Sequence, residues 1–325
     1  MSYKPIIIVL GEPHSTFPEI FLKSYNTFIK KFKRPIIVIG SVKLIEEHIK
    51  YFNYKIKLKV LHKSNINKIK NNKFLNIIDV NLKFKKVFKN NFKNSNLYIR
   101  NCFALALRII GNGNAIGLIN GPISKKKFLK KKYQGVTEYL AKKIGVKKFA
   151  MLIYNKNLSV CPITTHLPLK SVSKQISKKR IIEKVTLLYK FYKIILQRNP
   201  KFAVLGLNPH CETIDNYSEE KSIIKPSIKY LKSKGVSING PYPTDTFFIN
   251  GKLKHFDVVI GMYHDQVLTP IKTIYKFDAI NLTVGLPFIR VSPDHGPNEK
   301  MISKGISDPT SLIKAVAFFK IFNES

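Results

Sequence analysis

A chain of 325 residues with 44% apolar content has enough material for packed interiors in two α/β lobes, which excludes global disorder. No apolar run reaches the ~18 residues of a membrane span, and three scattered cysteines without a CxxC pair exclude a disulfide framework and a thiolate zinc site. The formal net charge of +38 invites a nucleic-acid reading, but only six of the 57 basic residues are Arg and the 51 Lys are spread along the whole chain, which fits a solvated lysine surface without specific nucleic-acid recognition.

In chain order, Met1 to Pro5 lacks the layout of a signal peptide and leads into a strand, Ile6 to Leu10, ending at Gly11. With the cysteine usage, this reads as a reducing, cytoplasmic setting. Pro18 to Lys33 is an amphipathic helix, Pro35 to Gly40 a strand, Leu44 to Phe52 a helix and Lys55 to Leu61 a strand. The Lys/Asn-rich stretch from Lys63 to Lys93 is weakly patterned and reads as peripheral, with one short apolar run at Leu75 to Val80. A helix from Leu97 to Ile110 and a strand from Ala115 to Ile119 follow. Phe149 to Tyr154 and Leu158 to Thr164 are strands, Val172 to Gln197 one long helix, Phe202 to Leu207 a strand and Glu219 to Lys234 a helix. Phe256 to Met262 and Ala279 to Val284 are strands, and Asp308 to Phe322 closes the chain as a helix capped by Asp308, with Pro309 at its first position. This alternation predicts mainly parallel sheets with helices on their faces, in more units than one simple sheet takes, hence two lobes.

Gly111-Asn112-Gly113 with Gly117 looks like a dinucleotide fingerprint and fails as one. The third glycine comes one position late, and the order is helix then strand where the fingerprint needs strand then helix. A nicotinamide cofactor would therefore bind without a Rossmann loop.

Three histidines stand at three strand ends: His166 after Leu158 to Thr165, His210 after Phe202 to Pro209, and His264 after Asp257 to Tyr263. Ligands of parallel sheets bind beyond the carboxyl ends of strands, and three imidazoles there suit a divalent cation with positions left open for substrate. The competing reading is three separate loop histidines. His48, His62 and His255 fall among lysines or at a helix end and read as surface, whereas His14 and His295 lie in Gly/Pro-containing loops that suit a cleft. Asp245, Asp265, Lys272, Arg290 and Asp294-His295-Gly296 cluster near the same strand ends. A metal with two carboxylates, a Lys and an Arg binds an anionic substrate and moves a proton.

Gly11-Glu-Pro13, Thr164-Thr-His-Leu-Pro-Leu169, Gly206-Leu-Asn-Pro-His210, Met262-Tyr-His-Asp-Gln266, Asn281-Leu-Thr-Val-Gly-Leu-Pro-Phe-Ile-Arg290 and Ser292-Pro-Asp-His-Gly296 resemble, in order along nearly the whole chain, the 4-hydroxythreonine-4-phosphate dehydrogenase family of pyridoxal phosphate biosynthesis. The resemblance implies a two-lobed α/β/α fold like that of isocitrate and isopropylmalate dehydrogenases. Residues 1–125 with 286–325 form one lobe, and 126–285 form a second that carries the metal histidines. It also implies a homodimer with active sites in the cleft between lobes and at the subunit interface. His166, His210 and His264 are then the ligands, drawn from both subunits, of one divalent metal per site (Zn, Mg, Mn or Co). Thr137, Lys272, Asn281 and Arg290 match substrate-binding positions, and Asp294, His295 and Gly296 the region that related dehydrogenases use for the cofactor. The implied reaction oxidises the C3 alcohol of 4-phosphohydroxy-L-threonine with NAD, NADP being the alternative. The product, 2-amino-3-oxo-4-phosphooxybutanoate, loses carbon dioxide to give 3-amino-2-oxopropyl phosphate. Asp245, Asp265 and Lys272 are the candidates for the base.

The chain departs from the family pattern in places. Gly135-Val-Thr-Glu138 has Val136 where the family commonly has His, His14-Ser-Thr-Phe17 stands for a glycine-containing loop, Pro297-Asn298 replaces Thr-Ala, and Ser124 stands where Asn or His is frequent. Val136 keeps a sister activity on a threonate or erythronate phosphate in play. The +38 charge keeps a second alternative, a non-catalytic polyanion-binding protein.

Overall fold

The computed structural model describes residues 3–69, 71–89, 92–124, 128–129, 133, 135–213, 217–249, 251–276, 278–293 and 296–322. They form two compact units, residues 1–136 with 287–325 and residues 137–286. In chain order the elements are β1 (Ile6–Val9), α1 (Phe17–Lys31), β2 (Ile36–Gly40), α2 (Val42–Tyr51), β3 (Leu58–Val60), β4 (Leu75–Asp79), α3 (Ser95–Gly111) and β5 (Gly117–Asn120). The second unit is entered through α4 (Val136–Lys143) and continues with β6 (Ala150–Tyr154), β7 (Ser159–Pro162), α5 (Val172–Gln175), α6 (Lys178–Ile194), β8 (Phe202–Leu205), α7 (Lys225–Ser233), β9 (Ile238–Tyr242), α8 (Thr244–Phe247), β10 (Val258–Gly261), α9 (His264–Tyr275) and β11 (Ile280–Val284). The chain returns to the first unit with β12 (Ile289–Pro293) and α10 (Thr310–Phe318).

In the first unit the strands run β3-β4-β2-β1-β5-β12, every pair parallel. β1 is central, and its Ile6-Ile7-Ile8-Val9 run is fully buried, as expected where helices cover both faces of a strand. The stretch read as peripheral contains β4, which lies between β3 and β2 with Leu75, Ile77 and Ile78 buried. Its Lys/Asn flanks hide a strand whose burial comes from long-range pairing. α1 begins with Pro18 and Glu19 in its first turn and ends on Lys30 and Lys31, which matches its macrodipole. α10 starts at Thr310, one residue later than the sequence suggests, and the Asp308 carboxylate accepts from the Thr310 amide at 2.7 Å.

In the second unit the order is β11-β6-β7-β10-β8-β9. β7, β10, β8 and β9 are parallel, while β6 runs antiparallel to both β11 and β7. Its core packs Val160, Ala203, Leu205, Val259, Val267 and Ile271 against Phe247. The expected single helix from Val172 is two helices, because Ile176 is extended and the Ser177 hydroxyl accepts from the Arg180 amide to cap a new start. β9 and α9 have no clear period in the sequence. β9 contains Gly240 and Pro241 and is an edge strand, where proline is tolerated. α9 has Pro270 in its interior, which masks its helical period. Among the described residues no helix is long and apolar enough to cross a membrane.

Candidate active site

β7, β10 and β8 are adjacent and parallel, and each is followed at its carboxyl end by one of the three singled-out histidines. His166 lies in the loop after β7, His264 is the first residue of α9 after β10, and His210 sits in a short 3-10 turn after β8. The His166 and His264 ring centroids are 5.6 Å apart. His264 Nδ1 lies 2.6 Å from Asp265 Oδ1, and His210 Nδ1 lies 3.6 Å from Asp245 Oδ2 on α8. Thus Asp265 and Asp245 each face an imidazole, one in hydrogen-bond contact and one at ion-pair range. Among the described residues no group of three or more His, Cys, Asp or Glu closes into a metal cage within the chain.

The donor set fits a divalent cation. A carboxylate on Nδ1 fixes the tautomer that carries its proton there, leaving Nε2 as a lone-pair donor, and metal-binding histidines characteristically have this outer partner. His264 and Asp265 have that geometry. His210 would supply the third imidazole, with Asp245 beside it.

Lys272 is exposed on α9, two turns beyond His264. Thr137, on α4, is buried, and its hydroxyl lies 3.2 Å from that of Thr283 on β11. Asn281, also on β11, has its Oδ1 buried without a hydrogen-bond partner, an acceptor suited to a ligand N–H or O–H. In the first unit Arg290 is 2% exposed on β12, and its Nε donates to Asn120 Oδ1 at 2.8 Å. Gly296 is exposed, and a Cβ there would meet only Asn298 Oδ1 at 3.7 Å, which leaves its backbone open to close approach by a cofactor. Asp294 and His295 lie outside the described residues.

Two further buried polar side chains, outside the candidate set, hold this strand-end region together. The Glu220 carboxylate accepts from the amides of Leu207 and Asn208, and the Gln266 amide joins Met262, Gly206 and Thr244. The available signal was weak: an acidic pair, Glu219-Glu220, in a chain with only 19 acids, and a glutamine two residues past His264. His48, read as surface, is 2% exposed, because its ring packs on Phe52 and Phe88. His62 and His255 are exposed, as expected.

Relatives of this chain are dehydrogenases. A protein of Sulfurihydrogenibium named 4-hydroxythreonine-4-phosphate dehydrogenase is 38% identical over 316 residues, 96% of each chain. One of Oceanobacillus iheyensis, provisionally named a D-threonate 4-phosphate dehydrogenase, is 32% identical over 329 residues, 97% of each. The crystal structure of 4-hydroxythreonine-4-phosphate dehydrogenase from Klebsiella pneumoniae matches with a TM-score of 0.82 and 25% identity, covering 98% of this chain and 99% of that one. The profile described as pyridoxal phosphate biosynthetic protein PdxA matches residues 31–319, and the chain belongs to that family.

Proposed function

We propose that this protein oxidises the C3 hydroxyl of 4-phosphohydroxy-L-threonine with NAD, as a step of pyridoxal 5'-phosphate biosynthesis. The alcohol gives up a hydride to NAD and a proton to the protein, yielding 2-amino-3-oxo-4-phosphooxybutanoate, NADH and a proton. The β-keto acid then loses carbon dioxide to leave 3-amino-2-oxopropyl phosphate. The observation that carries this reading is the placing of His166, His210 and His264 at the carboxyl ends of three adjacent parallel strands in a chain of this family.

His166, His210 and His264 would hold one divalent cation (Zn, Mg, Mn or Co), by resemblance to the family shared across a homodimer. When bound, it would supply Lewis acidity toward the substrate hydroxyl. Thr137, Lys272 and Asn281 bind and orient the phosphorylated substrate, Asn281 through its unpartnered Oδ1. Arg290 is an anion-binding residue, and Gly296 with its neighbours Asp294 and His295 serves the cofactor. Asp265 is committed to orienting His264, which leaves Asp245 and Lys272 as the groups that take the hydroxyl proton. Two of the three cysteines support a reducing, cytoplasmic setting: all are free thiols, and burial pushes Cys102 up to about 12 and Cys161 up to about 11, where neither is reactive.

The test is NADH formation by the purified protein with 4-phosphohydroxy-L-threonine, with and without a chelator, beside His210→Ala. Chelator-sensitive NADH formation that the variant lacks by a factor of about 100 or more is the expected result. No NADH from folded, metal-loaded protein overturns it. A second reading, oxidation of a threonate or erythronate 4-phosphate, is favoured by Val136 at the start of α4 and by the Oceanobacillus relative. The same assay with those substrates separates the two by their kcat/KM.

A further inference from the structure

The segment Gly206–Cys211 carries His210 on an awkward backbone. His210 and Cys211 both have positive φ, 56° and 62°, a region that side-chain-bearing residues avoid. Two backbone bonds close the turn itself, Cys211 N to Asn208 O at 3.1 Å and Glu212 N to Pro209 O at 3.0 Å, and Pro209 has no amide hydrogen to add another. The amides leading into it are all occupied by groups from elsewhere in the chain. The Gly206 amide donates to Tyr242 O at 3.0 Å, and Gly206 O accepts from Gln266 Nε2 at 2.7 Å. The Leu207 and Asn208 amides both donate to Glu220 Oε1, at 2.7 and 2.9 Å.

Glu220 is fully buried. Its second oxygen accepts from Asn208 Nδ2 at 2.9 Å and from the Ser218 hydroxyl at 2.7 Å. It opens a π-helical turn, Glu220–Ile224, an irregularity that concentrates at functional sites. Its approach depends on Gly206, where a Cβ would stand 3.1 Å from Glu220 Oε1 and 2.6 Å from Cys211 Sγ. Burial alone would raise the carboxyl, yet the donors from Asn208 and Ser218 outweigh it and hold the group below its ordinary value, so the clamp is an anion.

Gln266 is 6% exposed and uses all three of its contacts on different loops. Its Oε1 accepts from the Met262 amide at 2.6 Å, two residues before His264, and its Nε2 donates to Gly206 O and to Thr244 Oγ1 at 2.9 Å, next to Asp245. One amide therefore ties together the ends of β8, β9 and β10, the loops that carry His210, Asp245 and His264.

We infer that Glu220 and Gln266 are positioning residues that fix the loops carrying His210, Asp245 and His264, so that metal affinity and turnover depend on two side chains that touch neither metal nor substrate. This rests on the proposed metal site. Isosteric changes break the clamp without opening space: Glu220→Gln replaces one acceptor oxygen by a donor that faces other donors, and Gln266→Met removes both the acceptor and the donors.

The test uses the full chain, Co2+ as the probe metal, and amide hydrogen exchange of Leu207 and Asn208. Each variant is expected to weaken Co2+ affinity about 10- to 100-fold, to speed exchange at Leu207 and Asn208 about tenfold or more against unchanged β7 amides, and to lower kcat more than it raises KM. Ser218→Ala removes one donor to Glu220 and leaves the His210 segment intact. It keeps the test readable if Glu220→Gln does not fold, and it is expected to shift both readouts in the same direction by less. Folded variants with wild-type Co2+ affinity overturn the inference, even if their Tm is lower, because a purely structural role moves Tm alone. If the wild-type protein takes up no Co2+ and forms no NADH, the proposed function fails, while the exchange rates still decide whether the clamp exists.

Discussion

At the scale of single residues, the fold leans on glycines where backbones meet, and two of them separate steric need from conformational cost. A Cβ on Gly117 would stand 2.5 Å from Ile289 O on the neighbouring β12 and 2.6 Å from Phe319 Cε1. The carbonyl belongs to the β-ladder and cannot swing away, so Gly117→Ala must push β5 and β12 apart or displace the C-terminal turn. The expected loss is about 1–3 kcal/mol, read as a drop of several degrees in Tm. Gly111, at the exposed end of α3, has nothing within 4 Å of its would-be Cβ and no positive φ. Gly111→Ala is expected to be neutral or to stabilise by about 0.5–1 kcal/mol, since it only restricts the unfolded chain. Equal effects of the two substitutions in thermal melts would remove the steric account of Gly117. The site has the same character. His210 was legible because a histidine at a strand end is a chemical signal in the sequence itself. Glu220 and Gln266 were not, because the groups they fix, the Leu207 and Asn208 amides and Gly206 O, lie on a loop distant in sequence, and the Gln266 contact to Gly206 spans 60 positions of the chain.

At the scale of elements, strands that are apolar throughout were readable: β1, β2, β8 and β10 are each buried end to end and match the runs seen in the sequence. Elements whose identity is conferred by neighbours were not. β4 looks like one apolar run in a lysine-rich loop until β2 and β3 flank it, and α9 is broken up by Pro270 until its buried face, Val267, Leu268 and Ile271, is packed. α2 shows what such packing does to a titratable group. His48 is buried, its Nδ1 donates to Leu44 O one turn earlier at 2.8 Å, and Phe88 lies 5.1 Å away edge-on. Burial lowers its pKa, and the Leu44 hydrogen bond and the charges of Glu19 and Glu47 offset this only in part. The folded chain therefore keeps His48 neutral where the unfolded chain binds a proton. Stability from this group is fully present above the ordinary imidazole value of about 6.5 and is lost as pH falls from there toward the depressed folded value, at up to about 1.4 kcal/mol per pH unit. His48→Phe removes that proton. In urea unfolding between about pH 7.5 and about pH 5, its stability is expected to fall less steeply than that of the wild type. Parallel slopes would show that the group is not kept neutral by the fold.

At the scale of the whole molecule, the net charge of +38 is carried by lysines dispersed along the chain and not by one stripe. Such a distribution reads no sequence, but it raises the local concentration of any small anion, and the two proposed ligands, a phosphorylated amino acid and NAD, are both anionic. This attraction acts on binding even where chemistry limits turnover, so its signature belongs in KM and kcat/KM and not in kcat. The Debye length shortens from about 30 Å at 0.01 M to about 10 Å at 0.1 M salt, which uncouples distant lysines from the site while leaving contacts with bound ligand in place. A fall of roughly three- to tenfold in kcat/KM is therefore expected between about 20 mM and about 200 mM of a weakly coordinating salt, with kcat changed less than about twofold. Binding to heparin or DNA should be lost over the same range, since it has only the dispersed charge behind it. Two results would redraw the picture. A flat kcat/KM would place the whole of anion recognition in local contacts such as Arg290, and polyanion binding that persists in moderate salt while NADH formation is absent would favour the non-catalytic alternative.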